Sequence, residues 1–291
     1  MKNKICIFGF GYSADFIARS LSILGFNVTG TSRNQSRRKY YKNLGYKLAD
    51  FNITEVENVL RDTTHMLILI PPNEVGQDPV LSFFLPLLKK YRDQWQWIGY
   101  ASSTSVYGNH NGAWVNENTQ TNKDNVGYRG RQRLAIENTW LDIASQFGLP
   151  VHIFRIAGIY GPYRNALKAI KEGKMYAIYK KEHFFSRIHV FDIIKVIEAS
   201  IKKPNPTSIY NVADDFPAPS YKVDLYAAKL LHKTPLTLIR FNQAKLTNTL
   251  KEFYSNNRRI TNEKIKTELE IKLDYPSYKQ GLCDLFKESA Y

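Results

Sequence analysis

The residues Gly9-Phe10-Gly11-Tyr12-Ser13-Ala14 constrain this chain most, because they close a short apolar run and open an amphipathic one. Lys4–Phe8 reads as a strand and Ser13–Leu24 as a helix, so the glycines occupy a strand-to-helix turn. Gly9 permits the tight turn and Gly11 lets an anion approach the backbone. Ala14 is small enough for the helix to lie against the strand. The amides and positive dipole end at the helix start then favour a phosphate group. A glycine triplet alone is a weak signal; here strand, helix and N-terminal position agree.

Further strands are expected near Asn27–Thr31, Tyr46–Ala49, Met66–Ile70, Trp97–Ala101 and Val151–Arg155, with a return strand at Ser208–Val212. Helical patterns lie between them, notably Pro79–Tyr91 and Gly127–Phe147; the latter has Leu134, Ile136, Trp140, Leu141 and Ala144 on its apolar face. This alternation implies an α/β fold with a doubly wound parallel sheet. Gly161–Arg187 and Asp214–Tyr291 break the pattern and are expected to form a smaller C-terminal lobe. The expected division is residues 1–160 plus about 188–213 as a dinucleotide-binding domain. About 161–187 plus 214–291 would form the substrate lobe.

The chain carries 41 Lys+Arg against 26 Asp+Glu, a net charge of +15, which invites a nucleic-acid reading. No helix-turn-helix, zinc-finger spacing, aromatic RNA-binding motif or basic low-complexity tail accompanies the charge, so no nucleic-acid partner is expected and anionic small ligands explain it better. No run approaches the roughly 18 apolar residues of a membrane span. The first strand begins almost at once, which leaves no room for a signal peptide. Two cysteines, Cys6 and Cys283, do not make a disulfide framework. A cytoplasmic protein is the expectation.

The second strand ends Thr31-Ser32-Arg33, with Arg37 and Arg38 nearby. An NAD site usually places an acidic residue there; hydroxyls and arginine instead suit the 2′-phosphate of NADP. NADP is therefore expected over NAD, with Ser32 and Arg33 as contacts. Asp50, after the third strand, suits either an adenine amino group or loop capping.

Between Ala101 and Glu137 lie ASSTSVYG and, on a helical run, RGRQRLAIE. These resemble the serine segment and the YGRSKLAAE run of extended short-chain dehydrogenases/reductases. Downstream, RIAGIYGP from Arg155, RIHVFD from Arg187, YNVA from Tyr210 and RITN from Arg259 resemble that family's later elements in the right order. The likeness is nearest to a subgroup labelled nucleoside-diphosphate-sugar epimerases of the NAD(P)-dependent epimerase/dehydratase type, and it implies a Rossmann-type sheet with a smaller substrate lobe. Ser103 matches the serine that binds the reacting oxygen, and Tyr107 the structural tyrosine. Arg133 stands where the family has its lysine and retains a cation near the cofactor ribose. Arg129 stands where the family has its catalytic tyrosine, and a guanidinium does not give up its proton. Tyr128 lies one residue early, about 100° round a helix. It is either a substitute proton donor or a residue packing where the helix starts.

The resemblance also places Arg164, Arg187 and Arg259 along the substrate cleft, where guanidinium forks would bind a diphosphate or carboxylate. His189 has no metal-ligand spacing around it and is expected to be buried and hydrogen-bonded; no metal is expected. The resulting expectation is an NADP-dependent oxidoreductase or epimerase for a small anionic, nucleotide-sugar-like substrate, with an atypical catalytic centre. The competing expectation is a non-catalytic NADP-binding sensor or scaffold. A homodimer through Gly127–Phe147 is implied by the family alone.

Overall fold

The computed structural model describes residues 3–121, 125–289 and 291. Strand and helix alternate from the start: β1 (Lys4–Phe8), α1 (Tyr12–Ile23), β2 (Asn27–Thr31), α2 (Gln35–Asn43), β3 (Lys47–Ala49), α3 (Ile53–Leu60), β4 (His65–Ile68), α4 (Pro79–Lys90) and β5 (Trp97–Ser103). Then come β6 (Trp114–Val115), α5 (Tyr128–Phe147), β7 (Val151–Ile156), β8 (Gly158–Tyr160), α6 (Ala166–Lys171), β9 (Tyr176–Tyr179) and β10 (Arg187–His189). The chain continues through α7 (Val190–Lys202), β11 (Ile209–Val212), α8 (Ser220–Leu230), β12 (Thr237–Arg240), α9 (Asn248–Ser255), β13 (Arg259–Ile260), α10 (Glu263–Thr267) and α11 (Tyr278–Lys287).

Two compact units emerge from the packing. Unit 1 holds the chain up to Ser103 together with Arg131–Arg155 and Val196–Tyr210. Its sheet runs β11-β7-β5-β4-β1-β2-β3, and β1 pairs in parallel with both β2 and β4, Cys6 lying opposite Thr29 and Met66. Central strands covered on both faces need continuous apolar runs; Ile5–Phe8 and the whole of β4 are buried. The strand order reverses between β1 and β4, and folds of this kind bind ligands beyond the carboxyl ends of the strands at such a point. Gly9 follows β1 at that point. The α/β class and parallel sheet expected from the sequence are therefore those found.

Unit 1 packs Phe8, Ile68, Phe84, Tyr100 and Trp140 into one apolar cluster. Polar atoms drawn into it find partners. The Trp140 indole donates to Asp78 Oδ2 at 2.9 Å, while Asp78 Oδ1 caps α4 through the Val80 amide at 2.7 Å. Burial pushes the Asp78 carboxyl above its usual range. Arg155 Nη2 and Glu137 Oε2 form a pair at 2.8 Å whose side chains are only 5% and 1% exposed.

Unit 2 comprises Thr104–Gly130, Ile156–Lys195 and Asn211–Tyr291. It is built on short parallel pairs, β10 with β8, β12 with β9 and β13 with β6. Helices α6, α8 and α11 bury Leu167, Ile170, Val223, Tyr278 and Leu282 together with Tyr160. The Tyr107 hydroxyl donates to Asn211 Oδ1 at 2.7 Å. No described helix of the chain is long and apolar enough to cross a membrane.

Candidate active site

The glycine turn in unit 1 has the shape its sequence implies. Gly9 sits at φ +93°, and a Cβ there would lie 2.7 Å from Ile70 Cγ1 and 3.0 Å from the Ile70 nitrogen. Gly11 is the N-cap of α1 and is extended, with no side-chain cap. A Cβ on Gly11 would meet only Arg37 Nη1, at 4.0 Å. The backbone is thus open on the side where a phosphate would approach, with a cation above it. Ala14 is 1% exposed and packs as the small residue of the motif. These residues fit a dinucleotide's diphosphate.

The arginines after β2 divide their work. Arg33 and Arg37 are exposed, and the Asn34 side chain caps α2 by accepting from the Arg37 amide at 2.8 Å. Ser32 Oγ accepts from the Asn34 amide at 3.2 Å. Arg38 is held inside the turn, donating to the Ser32 carbonyl at 2.6 Å and to Asp50 Oδ1 at 2.7 Å. The same Asp50 oxygen accepts from the Phe51 amide at 2.7 Å, so Asp50 caps its loop and anchors Arg38.

Ser103 ends β5 and is half-buried. On the neighbouring helix, Arg133 Nη1 donates to the Ala101 carbonyl at 2.7 Å and to the Tyr100 hydroxyl at 3.2 Å. Its positive charge is therefore fixed against the carboxyl end of β5. Tyr128 is the first residue of α5 and is 57% exposed. Arg129 is tied to Glu252, whose Oε1 accepts from the Arg129 amide at 3.2 Å and whose Oε2 lies 3.8 Å from its Nε. Gly130 brings the helix against a backbone: a Cβ there would stand 2.4 Å from the Ser105 carbonyl oxygen.

In unit 2, Arg164 is exposed in a turn closed by reciprocal backbone bonds with Gly161 at 3.1 Å. Arg187 is drawn inward, its Nη1 donating to the carbonyls of Phe185 at 2.8 Å and Ala218 at 2.9 Å. Arg259 lies over the Phe184 ring at 4.0 Å and near the Trp114 ring at 5.9 Å, with Nε buried and without a hydrogen-bond partner among the described residues. Arg258, which the sequence did not single out, donates from Nη1 to the Gly108 carbonyl at 2.9 Å. Its Nε is likewise buried and unpaired among the described residues, and burial lowers the guanidinium to about 10. The buried His189 accepts from the Phe191 amide at 3.3 Å through Nδ1 and stacks on Tyr275 at 3.9 Å. Among the described residues no group of three or more His, Cys, Asp or Glu could hold a metal.

Residues 86–213 match the model of the NAD dependent epimerase/dehydratase family. The whole chain superposes on a functionally unknown conserved protein from Silicibacter pomeroyi with TM-score 0.91 and 38% identity, covering 99% of each. This chain belongs to the NAD-dependent epimerase/dehydratase family. The chain is also similar to Protein YeeZ of Escherichia coli K12, at 27% identity over 293 residues, 94% of this chain and 96% of that one. It shares its fold with the dTDP-glucose 4,6-dehydratase of Bacillus anthracis, solved in complex with NAD, at TM-score 0.77 and 16% identity over 98% and 96% of the two chains. Arg258 belongs to no local pattern, and its role is defined by Gly108, far away in sequence. Gly130 lies inside the RGRQRLAIE run, but its need for glycine comes from the approach of the Ser105 carbonyl.

Proposed function

We propose that this chain binds NADP at the Gly9–Ala14 turn and acts as an oxidoreductase or epimerase on a small anionic, nucleotide-sugar-like substrate. The observation that carries the reading is the open backbone at Gly11 lying beneath Arg37, with no acidic side chain at the end of β2. Arg33 and Ser32 are the groups that would take the 2′-phosphate, Arg37 the group nearest the diphosphate. A nicotinamide cofactor, when bound, supplies hydride transfer. Ser103 would hold the substrate oxygen, and the Tyr128 hydroxyl would move its proton. Arg133 would keep a positive charge near the cofactor ribose. Arg164 and Arg259 are the cations on the substrate side, in the lobe formed by unit 2, whereas Arg187 is held inward by the Phe185 and Ala218 carbonyls. A cytoplasmic location and a dimer through α5 go with this reading.

One observation favours a second reading. Arg129 occupies the position of the family's tyrosine and is tied to Glu252, as in a protein that keeps the cofactor turn as a sensor and has given up turnover. Titration with NADPH followed by single-turnover assays against nucleotide-sugar ketones separates the two. NADPH oxidation upholds the enzyme; tight binding with no oxidation supports the sensor; failure to bind either dinucleotide overturns both.

A further inference from the structure

We propose that a cavity inside unit 2, walled by α6, α8 and α11, binds a small organic carboxylate with a short apolar body, held through Arg187. The cavity has a volume of about 190 Å³ and is lined by Tyr160, Ala166, Ala169, Val223, Tyr278 and Leu282 around the side chains of Arg187, Lys174 and Asp224. Dry engineered cavities of about 150 Å³ admit benzene, so this space takes a six-carbon body. It is well below the roughly 300 Å³ at which pockets for drug-sized ligands begin, which excludes a nucleotide sugar. The cavity's ligand is thus of a different class from the substrate proposed above.

Charge decides what kind of small molecule fits. Lys174 and Asp224 neutralise each other at 2.7 Å. Arg187 has no such partner: its hydrogen bonds are two from Nη1 to backbone carbonyls, and no carboxylate pairs with it among the described residues. Asp214 is near, but its Oδ1 accepts from the Phe216 amide at 3.2 Å and its Oδ2 has no hydrogen-bond partner among the described residues, so neither oxygen is bonded to the guanidinium; burial raises its carboxyl well above the usual range. The Arg187 guanidinium thus lines an apolar chamber with no carboxylate bonded to it among the described residues. Burying a guanidinium without an anion is costly, and a carboxylate is the planar anion its fork matches best. The first turn of α8, an eleven-residue helix with no side-chain cap, supplies Ser220 and Val223 to the same wall, and its dipole adds to the preference for an anion. Apolar walls at Ala166, Ala169 and Leu282 then favour an aliphatic or aromatic body over a hydrated ion.

The test uses the full chain without dinucleotide, with hexanoate and benzoate as probes and hexanol and hexylamine as controls, read by calorimetry. Hexanoate is expected to bind at least tenfold more tightly than hexanol, with no measurable binding of hexylamine. Its addition should shift the methyl resonances of Ala166 and Ala169 in the wild-type protein. Ala169→Phe, which fills the chamber from a half-exposed helix position, and Arg187→Gln should each weaken hexanoate at least tenfold. Hexanol binding as tightly as hexanoate, unmoved alanine methyls, or undiminished affinity in folded Ala169→Phe overturns the proposal. NADP binding is measured on the same variants. Ala169→Phe should leave it unchanged, so failure of the carboxylate site and failure of the dinucleotide reading are separate results.

Discussion

The arginines beside the glycine turn of unit 1 and the inward arginines of unit 2 carry the same charge but stand in opposite surroundings. On unit 1, Arg33 and Arg37 stay in solvent at the edge of an open glycine turn, and Arg38 alone is fastened down by Asp50. In unit 2, Arg187 and Arg258 are sunk among carbonyls and aromatic rings, and burial lowers both guanidinium groups from their ordinary value. A solvated arginine costs the fold nothing and acts only when a phosphate arrives. A desolvated one is already oriented, at the expense of stability, and discriminates by shape as well as by sign. The contrast assigns adaptable charge to the glycine turn and rigid charge to Arg187 and Arg258.

The largest effect expected concerns acid stability, where the units agree rather than differ. His65 and His152 in unit 1 and His183 and His189 in unit 2 are all held down to about 4 by burial. An unfolded histidine titrates near 6.5, so their contribution is complete above pH 6.5 and is lost as pH falls toward 4, where the loss stops growing. The urea midpoint should therefore fall steeply across that window. His183→Phe, which replaces a ring whose two nitrogens have no partner among the described residues, should reduce the slope by about one proton. An unaltered slope would show that His183 is not held neutral.

Next in size is a buried arginine that does have its partner. Arg155→Met leaves Glu137 charged and buried, which should cost about 3–5 kcal/mol in urea unfolding. Adding Glu137→Leu should recover most of that loss. Arg38→Ala, breaking a pair whose side chains are 22% and 43% exposed, should cost no more than about 1 kcal/mol. Equal losses at Arg155 and Arg38 would erase the distinction between sunk and solvated arginines.

Cofactor binding sharpens it from the other side. Arg33→Ala should weaken NADP by about 1.5–3 kcal/mol and leave NAD nearly unchanged. Arg37→Ala should weaken both by similar amounts, because its guanidinium lies over Gly11 rather than beyond the ribose. Calorimetry with the two dinucleotides reads this directly, and equal losses from Arg33→Ala would remove the 2′-phosphate assignment.

The smallest and riskiest expectations concern turnover. Ser103→Ala should lower kcat by about tenfold or more, and Tyr128→Phe should lower it and change the pH–rate profile. Arg129→Tyr, which restores the family residue and removes the guanidinium from Glu252, should raise activity modestly. A silent Tyr128→Phe together with a silent Ser103→Ala hands the molecule to the sensor reading.

What was legible in the sequence follows how local its cause was. The β1–Gly9–α1 turn is written in consecutive residues, and so are the buried strands, because a strand covered on both faces needs an unbroken apolar run. Strand ends were less visible: β4 stops at Ile68 and β5 runs on to Ser103, set by partners rather than by their own residues. The pairs β13–β6 and β12–β9 join two- to four-residue segments dozens of positions apart, so no periodicity announces them. The tie between Arg38 and Asp50, and the need for glycine at 130, were hidden for the same reason. Arg187 was legible as a cation but not as the lining of a chamber, since its surroundings come from three helices.

Cys6 lies fully buried in β1, and its burial raises the thiol far above its ordinary range, while Cys283 on α11 is half-buried. The chain thus carries one sulfhydryl clock in each unit. Cys283 should react with an alkylating reagent on a timescale set by its own partial exposure, and Cys6 only when the central strand is uncovered. A dinucleotide that binds the folded turn must slow Cys6 modification by the same factor by which it suppresses that opening, and Cys283, which reacts without such an opening, supplies the reference rate. Two mass-spectrometric rates, taken without any substitution, would therefore say whether a given small molecule holds the central strand shut.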